Sequence, residues 1–483
     1  VSAVTQGQRP AEFRHNAIGL VGALAQSVAE IGPTASVALA VPLVAITVGG
    51  GAWLSWILCT VASIAVAYCC AEMSKRYVTT SGLTGLTAGT GSRATAIGVA
   101  LCVLVFFISV LPQALLATAL LVQNWFATIH VGSSNWLLFV IGMVVLASSF
   151  YLPYRGVKVA AEFQLILEGL TVLLVTILVI AIIVHEHSHL IDTSQLRLSG
   201  VSFRAVLAGA AVAMFGFVSF ENSVTLGRET RDPTKAIPRS LYISVLVCGL
   251  IFIIPAYVFP IGFIGSHLSL ATSSSPLSDL AKLNGVSAIS SPLTLGVAIS
   301  FFSIIIALVN AGARYLYTMS IEGLAPKWFG TLNRRTQTPT RAMLFFGVLT
   351  GGSFIGLVAS DNATFAVWGN IATFLTLMYV IAYVLALPAI AYYMRNTSRR
   401  WAVILAAIIA LIVLGYGLYA SVTPVPVFPL DVWTYIAIGL AVLACATAVV
   451  LRLRHSPALQ LVGSSSDYAE QSGTEVASPS QVT

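Results

Sequence analysis

Apolar residues run in long stretches, and nearly all the charge sits in the short segments between them. A stretch of about 20 apolar residues is enough to cross a bilayer as a helix. Twelve such spans are expected, at 17–48, 52–73, 94–126, 136–152, 160–184, 205–227, 240–262, 292–313, 341–358, 364–390, 401–421 and 432–451. Two carry interruptions that a plain spanning helix does not need. Span one contains Glu30 two residues ahead of Gly32-Pro33, and span six contains Gly216, Ser219, Glu221, Asn222 and Ser223.

Composition agrees with the pattern. Of 483 residues, 58% are hydrophobic and 8% charged, against about 25% charged in a typical soluble domain. The expected class is a polytopic, all-α membrane protein. The six cysteines all lie in apolar runs and lack metal-ligand spacing, so they read as small buried hydrophobes. Residues 1–16 are polar and the first apolar run is too long for a signal core, so no cleavable signal is expected. The tail, residues 456–483, is rich in Ser, Gly and Gln and reads as disordered and cytoplasmic.

The net charge of +7 changes the picture only through its placement. With an inside N-terminus, all but Arg197, Arg204 and Lys282 of the 24 basic residues fall in cytoplasmic segments. The positive-inside rule then puts both termini in the cytoplasm. The basic loops face the inner leaflet, and no nucleic acid is needed to account for the charge.

Gly-Pro inside a spanning helix removes a backbone hydrogen bond. Groups freed in this way must line a cavity or be buried in protein. Span one alone leaves a tolerated kink and an unwound ligand site equally open. A second broken span five places later favours the ligand site, because an odd offset inverts topology between two copies. The expected plan is an inverted repeat over 17–184 and 205–390, with substrate where the breaks meet, followed by two further helices over 401–451. A helix N-terminus there offers N–H groups to an anion and a C-terminus offers carbonyls to a cation.

Three stretches carry a more specific likeness: "FGFVSFENSVTLGRETRDPTKAIPRSL" (Phe215–Leu241), "NAGARYLYTMSIEGLAPKWFGTLNRRTQTP" (Asn310–Pro339) and "YRGVKVAAEFQ" (Tyr154–Gln164). With them the chain resembles the amino acid–polyamine–organocation superfamily of amino acid permeases over spans one to ten. The resemblance implies a leucine-transporter-like fold of five plus five helices and secondary active transport of an amino acid across the plasma membrane. By it, backbone N–H groups of Thr34, Ala35, Ser36 and Val37 hold the substrate carboxylate. Carbonyls near Ile31 and Gly32 and from Phe215, Gly216, Phe217 and Val218 hold its ammonium, and Phe215 closes over it. The family's Gly-Ser-Gly in span one is replaced here by Ala35, Ser36 and Val37, and Gly32 and Pro33 stand in as the source of the break. The family's span-five lysine, which replaces a sodium ion, falls on Thr171.

A charge at mid-bilayer depth costs at least about 2.5–3.5 kcal/mol on insertion scales, so Glu30 and Glu221 are candidates for carrying a coupling proton. Sodium is the alternative ion, and each carboxyl also has a purely structural reading. Glu162 and Glu168 read as near-interface residues that pair with Arg155 or Lys158. Asn310 and Arg314 are expected to fix packing and the inner gate. The "HEHSH" run, His185–His189, is a weak metal candidate without a second segment. No G-x-x-x-x-G-K-[ST] or G-x-S-x-G run occurs, which argues against an ATP-driven pump and against a serine hydrolase. The His185–His189 run itself fits H-E-x-x-H, but it falls in an outer loop with no second partner segment, so neither an enzyme nor a cofactor is expected. A polyamine or organic-amine transporter and a nutrient sensor on the same fold are the rival readings. The absence of further acidic residues from spans three, eight and ten favours a neutral substrate.

Overall fold

Backbone groups in hydrocarbon must bond within their own segment, and the apolar runs fold as helices. The computed structural model of the chain describes residues 13–198, 200–270, 272–273, 275–423, 428–454, 456–465 and 467–468. In chain order its helices are α1 Leu20–Ile31, α2 Pro33–Val48, α3 Ala52–Ser74, α4 Gly82–Ala88, α5 Arg93–Thr128, α6 Asn135–Arg155 and α7 Val157–His185. They continue with α8 Thr193–Leu196, α9 Phe203–Ala213, α10 Pro233–Ile261, α11 Pro276–Leu283, α12 Ser290–Ile321 and α13 Thr340–Ala359. The last are α14 Phe365–Met394, α15 Arg400–Ala420, α16 Leu430–Leu453 and α17 Pro457–Leu461. Two short strands, β1 Tyr77–Val78 and β2 Asp467–Tyr468, pair antiparallel. The protein is an all-helical, multi-pass membrane protein.

Among the described residues, eleven stretches are long and apolar enough to cross a membrane. The first, Leu20–Ser74, is 55 residues long, or about 80 Å of helix against a hydrocarbon core of about 30 Å. It is interrupted by a 3-10 turn at Gly49–Gly51, where Gly49 has φ 65°. The boundary expected between spans one and two falls at this turn.

Both expected breaks are present. Gly32 sits between α1 and α2 with φ 56° and ψ 68°, the left-handed region. Its N–H caps α1 by donating to Val28 O at 3.0 Å, and Pro33 opens α2. This is the usual division of labour between glycine at a helix end and proline at a helix start. Space requires glycine as well, since a Cβ at Gly32 would lie 2.3 Å from Ile304 Cδ1. In the sixth span α9 ends at Ala213, and a 3-10 turn, Met214–Gly216, follows. Ser219 then adopts φ 71°, and the chain continues as a ten-residue 3-10 helix, Phe220–Glu229. Runs of that length are uncommon in 3-10 form, and this one winds through the protein interior.

The helices that surround the breaks are the most enclosed. Of the apolar window in each stretch, 67% is buried for Ser287–Ile321 and 61% for α5 and α14, against 22% for α16. On the other side of the breaks, Trp56 of α3 is fully buried between Phe252, centroids 4.7 Å apart, and Phe217, 6.2 Å. Residues 456–465 of the expected disordered tail are described, and Val462 packs with Ala88, Ala96, Ile97 and Ala448. Residues 1–12 and 469–483 lie outside the described residues.

Trp56→Ala should leave a large void at the point where α3 supports the broken sixth span, at a cost of about 3–5 kcal/mol. The expected result is a clear fall in the melting temperature of the purified protein in detergent. An unchanged melting temperature would show that this aromatic cluster does not hold the bundle together.

Candidate functional site

The two breaks meet at one small cavity. Its volume is about 40 Å³, room for roughly three or four waters at ~10–15 Å³ each. From the first break it takes Glu30, Ile31, Ala35 and Ser36, and from the second Phe215, Val218 and Ser219. Helices α5, α12 and α14 complete it with apolar side chains, among them Phe106, Val110, Ile304, Leu308 and Leu375. Gln113 of α5 also lines it, is 2% exposed, and its Nε2 has no hydrogen-bond partner among the described residues. A buried donor left unmatched costs about 1–3 kcal/mol, so this amide is poised to meet a ligand or water.

The predicted binding residues divide on this geometry. Ile31, Ala35, Ser36, Phe215 and Val218 line the cavity. Gly32, Thr34, Val37, Gly216 and Phe217 lie outside its lining. Phe217 points the other way, into Trp56 and Phe252, and is fully buried. A Cβ at Gly216 would lie 3.1 Å from Trp56, so the chain there is pressed against α3. Two of the backbone groups are already engaged: Ala35 N–H donates to Ser300 Oγ at 3.3 Å, and Ile31 O accepts from Ser36 Oγ at 3.0 Å.

Glu30 and Glu221 are joined through neutral groups. Glu30 accepts one bond from Gln26 Nε2 and one from Asn222 Nδ2, each 2.7 Å. Tyr379 Oη lies 3.1 Å from Asn222 Oδ1 and donates to Glu221 Oε1 at 2.7 Å, and Tyr383 Oη donates to the other Glu221 oxygen. Among the described residues, no Lys or Arg lies within ion-pair distance of either carboxylate. Glu30 lines the cavity, whereas Glu221, the residue before Asn222, is outside its lining.

Glu168 departs from its expected place near the interface. It lies eleven residues into α7, about 17 Å from the helix start, and is 4% exposed. Ser300 Oγ of α12 sits 3.2 Å from both its oxygens, and the same hydroxyl accepts from the Ala35 N–H. Thr171 is one turn away, and its Oγ1 donates to the Glu168 carbonyl. Glu162 is exposed and lies 3.8 Å from Lys158.

The two ends of the bundle differ in closure. Toward the end that holds residues 13–18, Arg314 and Glu229 form a two-point ion pair, 1% and 2% exposed. Asn310 fixes Arg314 through its carbonyl at 2.9 Å and its side-chain oxygen at 3.2 Å. The Phe13 ring covers the guanidinium, and Ile18 bonds to Glu229 and Arg231 through its backbone. At the opposite end, a cavity of about 350 Å³ opens between α2, α9, α14 and α15. Phe215 lines both cavities, with Trp368 edge-on at 5.8 Å, so an aromatic pair divides them. The His185–His189 run begins on the last residue of α7 and continues as a turn, exposed but for half-buried Glu186, with His185 near Glu186.

Comparison with known proteins follows the same lines. A family model described as amino acid permease matches residues 22–461. The chain is 23% identical over 216 residues to the branched-chain amino acid permease BcaP of Bacillus subtilis, covering 44% of this chain and 45% of that one. It is 25% identical over 249 residues to the low-affinity putrescine importer PlaP of Escherichia coli K12, covering 48% and 51%. It is 24% identical over 143 residues to the mitochondrial cationic amino acid transporter 3 of Arabidopsis thaliana, covering 30% and 23%. The matched part spans about half the length of these curated relatives or less.

Removing one partner of a buried ion pair costs about 3–5 kcal/mol, whereas replacing both by apolar residues is often neutral. Arg314→Met alone should therefore lower the melting temperature sharply, and adding Glu229→Met should restore most of it. Equal losses in the single and the double variant would mean that Arg314 acts through packing and not through the pair.

Proposed function

The chain belongs to the amino acid permease family, and from that premise we propose that it is a secondary active transporter of a small amino acid that works by alternating access. One observation carries the reading. Two broken helices converge on a single cavity that is sealed by an ion pair on one side and separated from an open cavity by an aromatic pair on the other. Transport needs a site that faces each side in turn, and unequal closure is what one state of such a cycle requires.

In this reading the substrate ammonium sits by Glu30 and the carbonyl ends of the first break. Its carboxylate meets the N-terminus of α2 and the Gln113 amide. The apolar lining favours a neutral side chain. A substrate enters from the 350 Å³ cavity when Phe215 swings from Trp368, and the 40 Å³ space widens around it. An organic amine is the second reading, favoured by Glu30 being the charged group of the lining. The putrescine importer among the relatives is in keeping with it. Five-plus-five inverted symmetry, twelve spans, plasma-membrane location and cytoplasmic termini belong to the same proposal.

Coupling to protons fits the chain Glu30–Asn222–Tyr379–Glu221. It connects a cavity-facing carboxylate to a second one through groups that both donate and accept. Sodium is the competitor, and Glu168 with Ser300 and Thr171 is the place where that competition would be decided.

Uptake of a labelled amino acid and amine panel into proteoliposomes tests the function directly. A neutral amino acid should accumulate, and Gly32→Leu should abolish this while the protein stays in the membrane, because Ile304 leaves no space and the left-handed backbone disfavours a side chain. Normal uptake by Gly32→Leu would reduce the break to a packing kink. No uptake of any amino acid or amine by the wild type would leave the sensor reading in its place.

Glu221→Gln should still bind substrate but flatten the pH dependence of uptake. Uptake that needs a sodium gradient and ignores a proton gradient would remove the proton role from both glutamates.

A further inference from the structure

The segment after α16 ends on the two elements that the Arg314–Glu229 ion pair joins. Arg228 precedes Glu229 at the end of the broken sixth span, and its Nη2 donates to Ser465 O at 2.6 Å. Glu322 caps α12 two turns beyond Arg314, is 1% exposed, and accepts from Ser465 Oγ. The backbone of Gly463 and Ser465 also bonds to Glu322. One residue thus ties the broken span to α12, alongside the ion pair that does the same a few residues deeper.

The segment is anchored on both sides of Ser465. Before it, Val462 is 2% exposed among Ala88, Ala96, Ile97 and Ala448. Gly463, at φ 81°, passes so close to Ala88 that a Cβ there would lie 2.8 Å from the Ala88 methyl. After it, β2 pairs with β1 in the connection between α3 and α4. Burial pushes the Glu322 carboxyl up from its ordinary range, which marks the cost of enclosing it under the segment.

We propose that residues 456–465, continued by the β2 pair at 467–468, are a built-in strap that holds the inner gate shut. Arg228 and Glu322 cannot separate while both bond Ser465, so the broken span and α12 part only after the strap lets go. The strap sets how often the site reaches the side of the membrane that carries both termini. It rests on the reading of Arg314–Glu229 as a gate, and its test separates the two.

The reporter is Thr80→Cys. Thr80 is buried at this end, 2.7 Å from Thr318 Oγ1 of α12. Inside-out membrane vesicles are treated with a membrane-impermeant maleimide, and the parent protein without this cysteine supplies the background. Three changes are made on the reporter: Glu229→Gln, Ser465→Ala with Arg228→Gln, and a chain ended after Arg454. All three should raise the labelling rate, by roughly fivefold for loss of a hydrogen bond or more. Labelling raised by Glu229→Gln alone would overturn the strap and leave the gate. Labelling raised by none of the three would overturn both. If the shortened chain fails to reach the membrane, the full-length double variant decides by the same criterion.

Discussion

Two helices stop in the middle of the bundle, and each backbone group freed there needs a partner that water in the bilayer core does not supply. The rest of the arrangement follows from how that need is met. Gly32 turns through the left-handed region and closes α1 on its own amide, Ser36 returns a hydroxyl to the Ile31 carbonyl, and Ser300 receives the Ala35 N–H. What remains at the break faces a small cavity instead of lipid. Side chains then link the breaks. Glu30 reaches Asn222 of the sixth span, and the tyrosines of α14 hold Glu221. These bonds all connect segments that must move relative to one another if the site is to change sides. Among the described residues, no Lys or Arg joins these bonds within ion-pair distance.

Closure is built from different materials at the two ends. One end uses a fully buried two-point ion pair with Asn310 behind it and Phe13 across it. Such a pair is costly to half-break, which under the proposed cycle suits it to act as a two-state latch. The other end uses the edge-on contact of Phe215 and Trp368, and an aromatic pair contributes only about 0.5–1.5 kcal/mol beyond its burial. In the proposed cycle, a thin aromatic partition over a narrow cavity suits the state that admits substrate, and opening of the latch suits the state that releases it.

Much of the plan could be read from the chain because the breaks are compositional anomalies. Gly32-Pro33 and the run of Gly216, Ser219, Glu221 and Asn222 stand out in any apolar stretch, and Arg314 stands out in α12. Which side chains face the cavity could not be read, for a geometric reason. Phe215 and Phe217 lie where the helix gives way to a 3-10 turn and then to irregular turn residues. With the 3.6-residue period lost, a separation of two no longer fixes the face, and Phe217 turns into the core. Partners were hidden by distance along the chain: Tyr379 and Tyr383 lie more than 150 residues from Glu221, and Glu229 lies 85 from Arg314. Gln113 carried no local signal at all, being one of three amides in α5, with Gln123 and Asn124, that only the packing of four other segments singles out. Glu168 was misplaced because a charge eleven residues into a 29-residue helix looks close to an interface when the neighbouring basic residues suggest one.

The account stands or falls on the place where ligand binds. A cryo-electron-microscopy map of the protein in lipid nanodiscs, at saturating concentration of the best substrate from the uptake panel, measures that place. The account predicts density between Ile31–Ser36 and Phe215–Ser219, in contact with Glu30 and within hydrogen-bond reach of the Gln113 amide, with the Arg314–Glu229 pair closed or the Phe215–Trp368 pair closed but not both open. Substrate density confined to the 350 Å³ cavity or to another groove, with the space between the two breaks unchanged, would contradict it.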